Sequence, residues 1–301
     1  MNHLYTEIGQ QLGGNYIPQY PRPQMKRNSF FSLDGTWQLE VGNQQYDILV
    51  PFCPESLLSG VGKHFGNQPL CYRRTFTLPV GFVKNRVLLH FGAVDQTCIL
   101  LVNGREVGEH TGGYNPFSFD ITDYLEEENQ ITLLVTDNVN NPTLPYGKQK
   151  EKRGGMWYTP VSGIWQSVWL ESVPQEYIRS LKIDVTLHSA HIAFEGIMAG
   201  EVTVEGATFP IKNGKADIVI QNPKHWTPES PYLYPFTATS GEDTIESYFA
   251  LRTLETKPVN GLPRLCLNGK PYFFHGLLDQ GYWPDGLLTP AAPECYAQDI
   301  L

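Results

Sequence analysis

The chain is 301 residues long, 41% hydrophobic and 12% aromatic, with a formal net charge of -9. That length suits about two domains at roughly 150 residues each, with apolar material enough for buried cores. No basic run exists to neutralise phosphates, so nucleic acid is excluded as an expected partner, and no apolar stretch approaches the ~18 residues of a membrane span. The N-terminal MNHLYTEIGQQLGG lacks the cationic lead and apolar core of a secretory leader. The five cysteines, Cys53, Cys71, Cys98, Cys266 and Cys295, are irregularly spaced and form no CxxC pair. They point to reduced thiols and a cytoplasmic setting, not to zinc or a disulfide framework.

In chain order, short alternating apolar runs dominate: Thr36–Val41, Tyr46–Val50, Tyr72–Leu78, Arg86–Phe91, Cys98–Val102, Gln130–Val135 and Ser167–Leu170. Turn dipeptides bound many of them, including Asp34-Gly35, Ser59-Gly60 and Asn103-Gly104. Such punctuation predicts antiparallel strands. Within RVLLHFGAVDQTCILLVNGREVGEHTGGYNPFSFDIT, the strand Val87–Phe91 precedes a hairpin through Asn103-Gly104. A loop over Thr111–Pro116 then leads into a strand at Phe117. This is the pattern of a jelly-roll sandwich.

Pro174 breaks the pattern, and from Ile178 to Leu254 a second series of short strands follows, with another turn at Asn213-Gly214. It suits a small immunoglobulin-like sandwich, here without a cysteine to bridge its sheets. Lys257–Pro263, with Asn260-Gly261 inside it, reads as a Pro/Gly linker. An apolar strand, Pro271–Leu278, emerges from the Asn268-Gly269 turn and leads through a polar-aromatic loop to a helix-like AAPECYAQDIL. One strand–loop–helix unit cannot bury both faces of a parallel sheet without neighbours. The expected fold is therefore mainly β: a jelly roll over 1–174, an immunoglobulin-like sandwich over 175–256, and a third region over 257–301.

Together these segments resemble the N-terminal part of a glycoside hydrolase family 2 enzyme, the group of β-galactosidases, β-glucuronidases and β-mannosidases. FSLDGTWQLE (Phe31–Glu40), VPFCPESLLSG (Val50–Gly60), CYRRTFTLP (Cys71–Pro79) and MWYTPVSGIWQSVWLE (Met156–Glu171) carry the likeness in the first region. HWTPESPYLYPF (His225–Phe236), FALRTLE (Phe249–Glu255) and LNGKPYFFHG (Leu267–Gly276) carry it onward. The resemblance implies a sugar-binding-like jelly roll, an immunoglobulin-like sandwich and a (β/α)8 barrel. A barrel takes about 250 residues, so 257–301 would hold its first strand and helix only.

The resemblance also implies retaining chemistry by two carboxyl groups about 5–5.5 Å apart. In the family both glutamates stand on later barrel strands, so no catalytic residue is assigned here and the chain alone is expected to be inactive. Glu55, Glu109 and Glu171 are read as surface or structural carboxylates. Barrel sites lie at the C-terminal ends of strands, which makes Asp279, Gln280 and Trp283 the leading candidates for sugar contacts in the complete enzyme. Known members carry an Arg-His-Glu run where this chain has Leu278-Asp279-Gln280-Gly281, leaving the sugar open. Asn67, before Cys71-Tyr72, and Trp157, ahead of Ser162-Gly163-Ile164, are further candidates in the jelly roll. Tyr114 and Asn115 read as loop-shaping. The histidines form no ligand spacing, so no metal and no cofactor are expected. The expected partner is a β-glycoside, in a protein that forms homo-oligomers through its sandwiches. The alternative is a stand-alone carbohydrate-binding or structural β-sandwich module, to which Trp37, Trp157, Trp165 and Trp169 would be relevant.

Overall fold

The computed structural model describes residues 4–14 and 16–301. The leader reading above rests partly on Met1–His3, which lie outside the described residues. Two compact units divide the chain. One comprises Met1–Pro21, Ser29–Ser172 and Gln280–Leu301; the other comprises Arg22–Asn28 and Val173–Asp279.

The first unit opens with a short helix α1 (Glu7–Gln11), whose N-cap Thr6 accepts a hydrogen bond from the Gly9 N–H. Its strands are β1 (Phe30–Ser32), β2 (Gly35–Val41), β3 (Gln44–Val50), β4 (Leu70–Phe76), β5 (Arg86–Phe91), β6 (Val94–Asp95), β7 (Thr97–Val102), β8 (Arg105–Thr111), β9 (Phe117–Asp120), β10 (Asn129–Thr136), β11 (Gly163–Ile164) and β12 (Val168–Val173). They form a six-stranded sheet, β3-β2-β4-β10-β7-β8, a four-stranded sheet, β1-β12-β5-β9, and a small β11-β6 pair. All pairings given for them are antiparallel. β7 and β10 alternate buried and outward residues, as strands with one core face must. β12 is buried at every position and β5 at all but Arg86, so both faces of that sheet are covered. Trp37, Leu39, Tyr72, Leu89, Phe91, Leu100 and Ile131 fill the core between the sheets. Trp165 and Trp169 are buried as well, and Trp169 stacks on His90 with ring centroids 4.9 Å apart. These tryptophans are packing residues, not an exposed binding platform.

The second unit holds β13 (Ser180–Val185), β14 (Ser189–Glu195), β15 (Ala199–Val204), β16 (Ala207–Lys212), β17 (Lys215–Val219), β18 (Tyr234–Ser240) and β19 (Asp243–Phe249) in the order β13-β14-β17-β16-β15-β18-β19. Its own core gathers Ile192, Val202, Ile218, Tyr234, Phe236, Ile245 and Leu251. A three-stranded sheet of β20 (Leu254–Val259), β21 (Leu262–Leu267) and β22 (Lys270–Pro271) completes it.

Lys257–Pro263 is thus no linker. Asn260 and Gly261, at φ 52° and 79°, make the two-residue turn of a β20–β21 hairpin. Pro258 faces Pro263 across it. In such a hairpin the pair flanking the turn is hydrogen-bonded and the next is not, so the missing proline N–H groups cost no ladder bond there. The strand expected over Pro271–Leu278 also differs. Beyond Pro271, the Tyr272 N–H still bonds the Leu265 carbonyl of β21 at 3.0 Å, but 272–279 form no strand, and Phe273, Leu277 and Leu278 are exposed. The predicted C-terminal helix is present as α2 (Glu294–Ile300). No helix among the described residues is long and apolar enough to cross a membrane.

Candidate functional site

Around β6 in the first unit the chain gathers chemistry that its strand pattern does not require. The run FGAVDQTCILLV is apolar except for Asp95, Gln96 and Thr97, and Asp95 is its one charge. Asp95 is 3% exposed, and its Oδ1 has no hydrogen-bond partner among the described residues. The carboxyl lies against the loop that follows β8. A Cβ on Gly113 would stand 2.3 Å from Asp95 Oδ1, so only glycine leaves room for the acid. Burial first, then the charges of Asp137 and Glu55, push the Asp95 carboxyl up to about 8. Asp137, in the segment after β10, is raised to about 6 by burial and by Glu55, with His64 pulling the other way.

Glu55 is buried but satisfied. Its Oε1 accepts from Ser162 Oγ at 2.7 Å, its Oε2 accepts from the Ser162 N–H at 3.1 Å, and His64 Nδ1 lies 3.2 Å from Oε1. The bond to Glu55 is the main reason His64 titrates above its usual range. On the other side of Asp95, Gln149 donates from Nε2 to Tyr114 Oη at 2.8 Å and accepts the Val161 N–H at Oε1, also at 2.8 Å. Tyr282 interacts with Gln149 too, and burial raises its hydroxyl to about 12. Its ring stacks on Tyr158 with centroids 3.9 Å apart and planes within 9°. Tyr114 packs edge-on against Trp165, whose indole N–H is held by the Gly113 carbonyl at 2.8 Å. The result is a polar cluster among aromatic rings, with three carboxyls, an amide and one histidine. A protonated carboxyl can donate one hydrogen bond while still accepting others, which suits a hydroxyl-bearing ligand.

The residues expected from the sequence are placed unequally. Gln280 is held by Lys148, whose Nζ donates to its Oε1 at 3.0 Å. Trp157 is half-buried on the neighbouring stretch, with Lys150 Nζ 3.9 Å from its ring centroid. Asn67 is exposed in a turn. Asp279 is exposed and belongs to the second unit. Trp283 is a correction. It is 7% exposed in an apolar cluster with Leu49, Phe52, Leu58 and Cys295 and packs edge-on against Tyr296, so its faces are occupied by protein. Sequence reasoning missed Asp95 and Asp137, and it read Glu55 as a surface or structural carboxylate, a role its bonds to Ser162 fit. For Asp95 a signal was available, a carboxylate inside an otherwise apolar run.

Two models of one family match consecutive stretches: the glycosyl hydrolases family 2 sugar binding domain over residues 62–174, and a glycosyl hydrolases family 2 domain over 175–252. The chain belongs to glycosyl hydrolase family 2. Among curated relatives, a β-galactosidase of Thermoanaerobacter pseudethanolicus is 27% identical over 234 residues, covering 68% of this chain and 31% of that protein. A β-glucuronidase of Paenibacillus borealis is 28% identical over 247 residues, covering 71% of this chain and 40% of the relative. The chain therefore spans well under half the length of these family 2 relatives. Among solved structures, a Faecalibacterium prausnitzii β-glucuronidase superposes with a TM-score of 0.73 at 24% identity, covering 95% of this chain and 55% of that one. At that identity the likeness speaks for the family 2 fold alone. Asp95, Glu55, His64 via Glu55, and the loop bearing Gly113 all lie in or beside the stretch that the sugar binding domain model matches.

Proposed function

We propose that the chain forms the non-catalytic front domains of a retaining family 2 β-glycosidase, and that the polar cluster around Asp95 supports the sugar site of a terminal β-glycoside. The observation that carries this reading is a buried carboxyl with an unpartnered oxygen, set among aromatic rings and an amide. Buried polar groups ordinarily find partners, and a sugar hydroxyl would supply one. Aromatic walls with a few convergent polar groups are also what small-ligand sites use.

Catalysis in this reading comes from two glutamates on later barrel strands. Residues 272–278 would become the first of those strands once neighbours pair with their exposed edges. Asp279 and Gln280 follow at its C-terminal end and would meet the sugar there. Gln280 is already tied to Lys148. A carbohydrate partner, a cytoplasmic setting and a homo-oligomer belong to the same proposal. Light scattering after gel filtration checks the oligomer.

The test is direct. The purified 301-residue chain should turn over none of nitrophenyl β-galactoside, β-glucuronide or β-mannoside. Activity that survives repurification and scales with this species would refute the non-catalytic assignment. In the complete enzyme, Asp279→Ala should lower kcat/KM at least tenfold, the range expected from about 1.5–3 kcal/mol for a hydrogen bond to a charged group. An unchanged kcat/KM would remove Asp279 from the sugar.

A further inference from the structure

We propose that β13 is a docking edge for a second copy of this chain, pairing antiparallel with the partner's β13 about a two-fold axis at Ile183. The inference names the surface behind the homo-oligomer proposed above and rests on that reading. β13 ends its sheet, and its strand partner among the described residues is β14. Bonds on the two sides of β14 fix which backbone groups β13 has to spare. The Thr186 N–H bonds the Ser189 carbonyl at 2.8 Å, and on the far side of β14 the Phe194 N–H bonds the Gly214 carbonyl, also at 2.8 Å. Bonded and non-bonded pairs alternate along an antiparallel ladder. Lys182 and Asp184 therefore turn their backbone groups to β14, while Leu181, Ile183 and Val185 turn theirs to the open edge.

An open edge is a template for another strand, and this edge is complementary to itself. The run Leu181-Lys182-Ile183-Asp184-Val185 alternates half-buried apolar residues with exposed charges of opposite sign. With Ile183 facing the partner's Ile183, Leu181 meets the partner's Val185, and the outward N–H and C=O groups of Leu181, Ile183 and Val185 all find partners. On the exposed face Lys182 then stands opposite the partner's Asp184, and Asp184 opposite the partner's Lys182. In the single chain these two side chains meet each other at 3.0 Å and are 77% and 66% exposed, so a partner can reach both. An axis at Leu181 would set Lys182 against the partner's Ser180, and an axis at Val185 would set Asp184 against the partner's Thr186. Charge therefore selects the register centred on Ile183. The apolar face has room for the partner. A cavity of about 640 Å³ adjoins Leu181 and Met25, and one of about 270 Å³ adjoins Ile183, Val185 and Phe249.

Sedimentation velocity on the intact chain, from about 1 to 100 μM, should show a monomer–dimer equilibrium. Lys182→Asp and Asp184→Lys change exposed side chains and should leave the circular dichroism spectrum as it is. Each should raise the dimer Kd about tenfold or more, because like charges then face each other on both sides of the axis. An equimolar mixture of the two variants should dimerise again, since the acidic edge of one meets the basic edge of the other. The double variant Lys182→Asp/Asp184→Lys should dimerise as the parent does. A parent dimer whose Kd neither variant moves, or a mixture that stays monomeric, overturns the β13 edge while leaving a homo-oligomer standing. A parent that is monomeric throughout overturns the homo-oligomer reading, and this proposal with it.

Discussion

A carboxyl group that is 3% exposed with one oxygen unpartnered makes the stability of the first unit depend on pH. Asp95 titrates near 8 when folded, above its ordinary 3.8. Between those values the folded chain holds a proton that the unfolded chain has lost, so stability falls as pH rises from about 4 to about 8. Asp95→Asn removes the titration. The variant should match the parent near pH 4 and exceed it at pH 8 by on the order of 2–5 kcal/mol. Urea melts at the two pH values check this, and equal differences at both would contradict it. Gly113 is the other half of the arrangement. Gly113→Ala should cost about 1–3 kcal/mol by overpacking, and the loss should shrink when Asp95 is shortened to Ala, because the clash is with that carboxyl. Of this site the sequence showed only the anomaly of a charge in an apolar run. Its neighbours Glu55 and Asp137 lie about forty residues away on either side, and no local pattern announces that a jelly roll will bring them together.

At the scale of elements, turn chemistry decided what could be read in advance. Asn103-Gly104, Asn213-Gly214, Asn260-Gly261 and Asn268-Gly269 all adopt positive φ at both residues, the turn that matches strand twist. The hairpin through Asn103-Gly104 was legible. β16 was not, although Asn213-Gly214 follows it, because the turn that opens it is made by Glu205-Gly206, with Glu205 at φ 48°. Residues other than glycine, asparagine and aspartate pay a steric penalty in that region. Glu205→Asn should therefore stabilise the second unit by about 0.5–1 kcal/mol, even with the Tyr232 hydroxyl bond to Glu205 lost. A thermal melt with an unchanged or lower midpoint would refute it. The segment 280–301 is held by tertiary contacts that no local pattern announces. Thr6 donates from both N and Oγ1 to Asp285 Oδ2, at 2.9 and 2.7 Å, the Leu58 N–H bonds the Asp285 carbonyl at 3.1 Å, and Trp283 is buried. Chymotrypsin should cut first within Tyr272–Leu278, and the 280–301 peptide should remain bound to the first unit through gel filtration. Gly9→Ala, whose Cβ would lie 1.9 Å from Asp285 Oδ2, should release it.

For the molecule as a whole, the chain path matters more than either sandwich alone. It leaves the first unit after Pro21, lends Arg22–Asn28 to the second, and returns at Ser29. The loan is held by Arg27. Its guanidinium grips the Asp243 carboxylate at two points of 2.9 Å, with both side chains 2% exposed, while the Ile178 N–H adds a bond to Asp243 Oδ2 at 2.8 Å. Removing one partner of such a pair leaves a buried charge uncompensated, which costs about 3–5 kcal/mol, whereas replacing both with apolar groups is far milder. A fragment covering only 173–279 has all the strands of the second unit but lacks Arg27. It should be unstable or aggregate, although its immunoglobulin-like core is complete. Asp243→Leu in that fragment should recover much of the stability, and the same substitution in the intact chain should destabilise it, since Arg27 would then be the orphan. Opposite signs in the two backgrounds, measured by urea denaturation, are the expected result. Equal signs would mean that the first strand segments, not this ion pair, bind Arg22–Asn28 to the second unit.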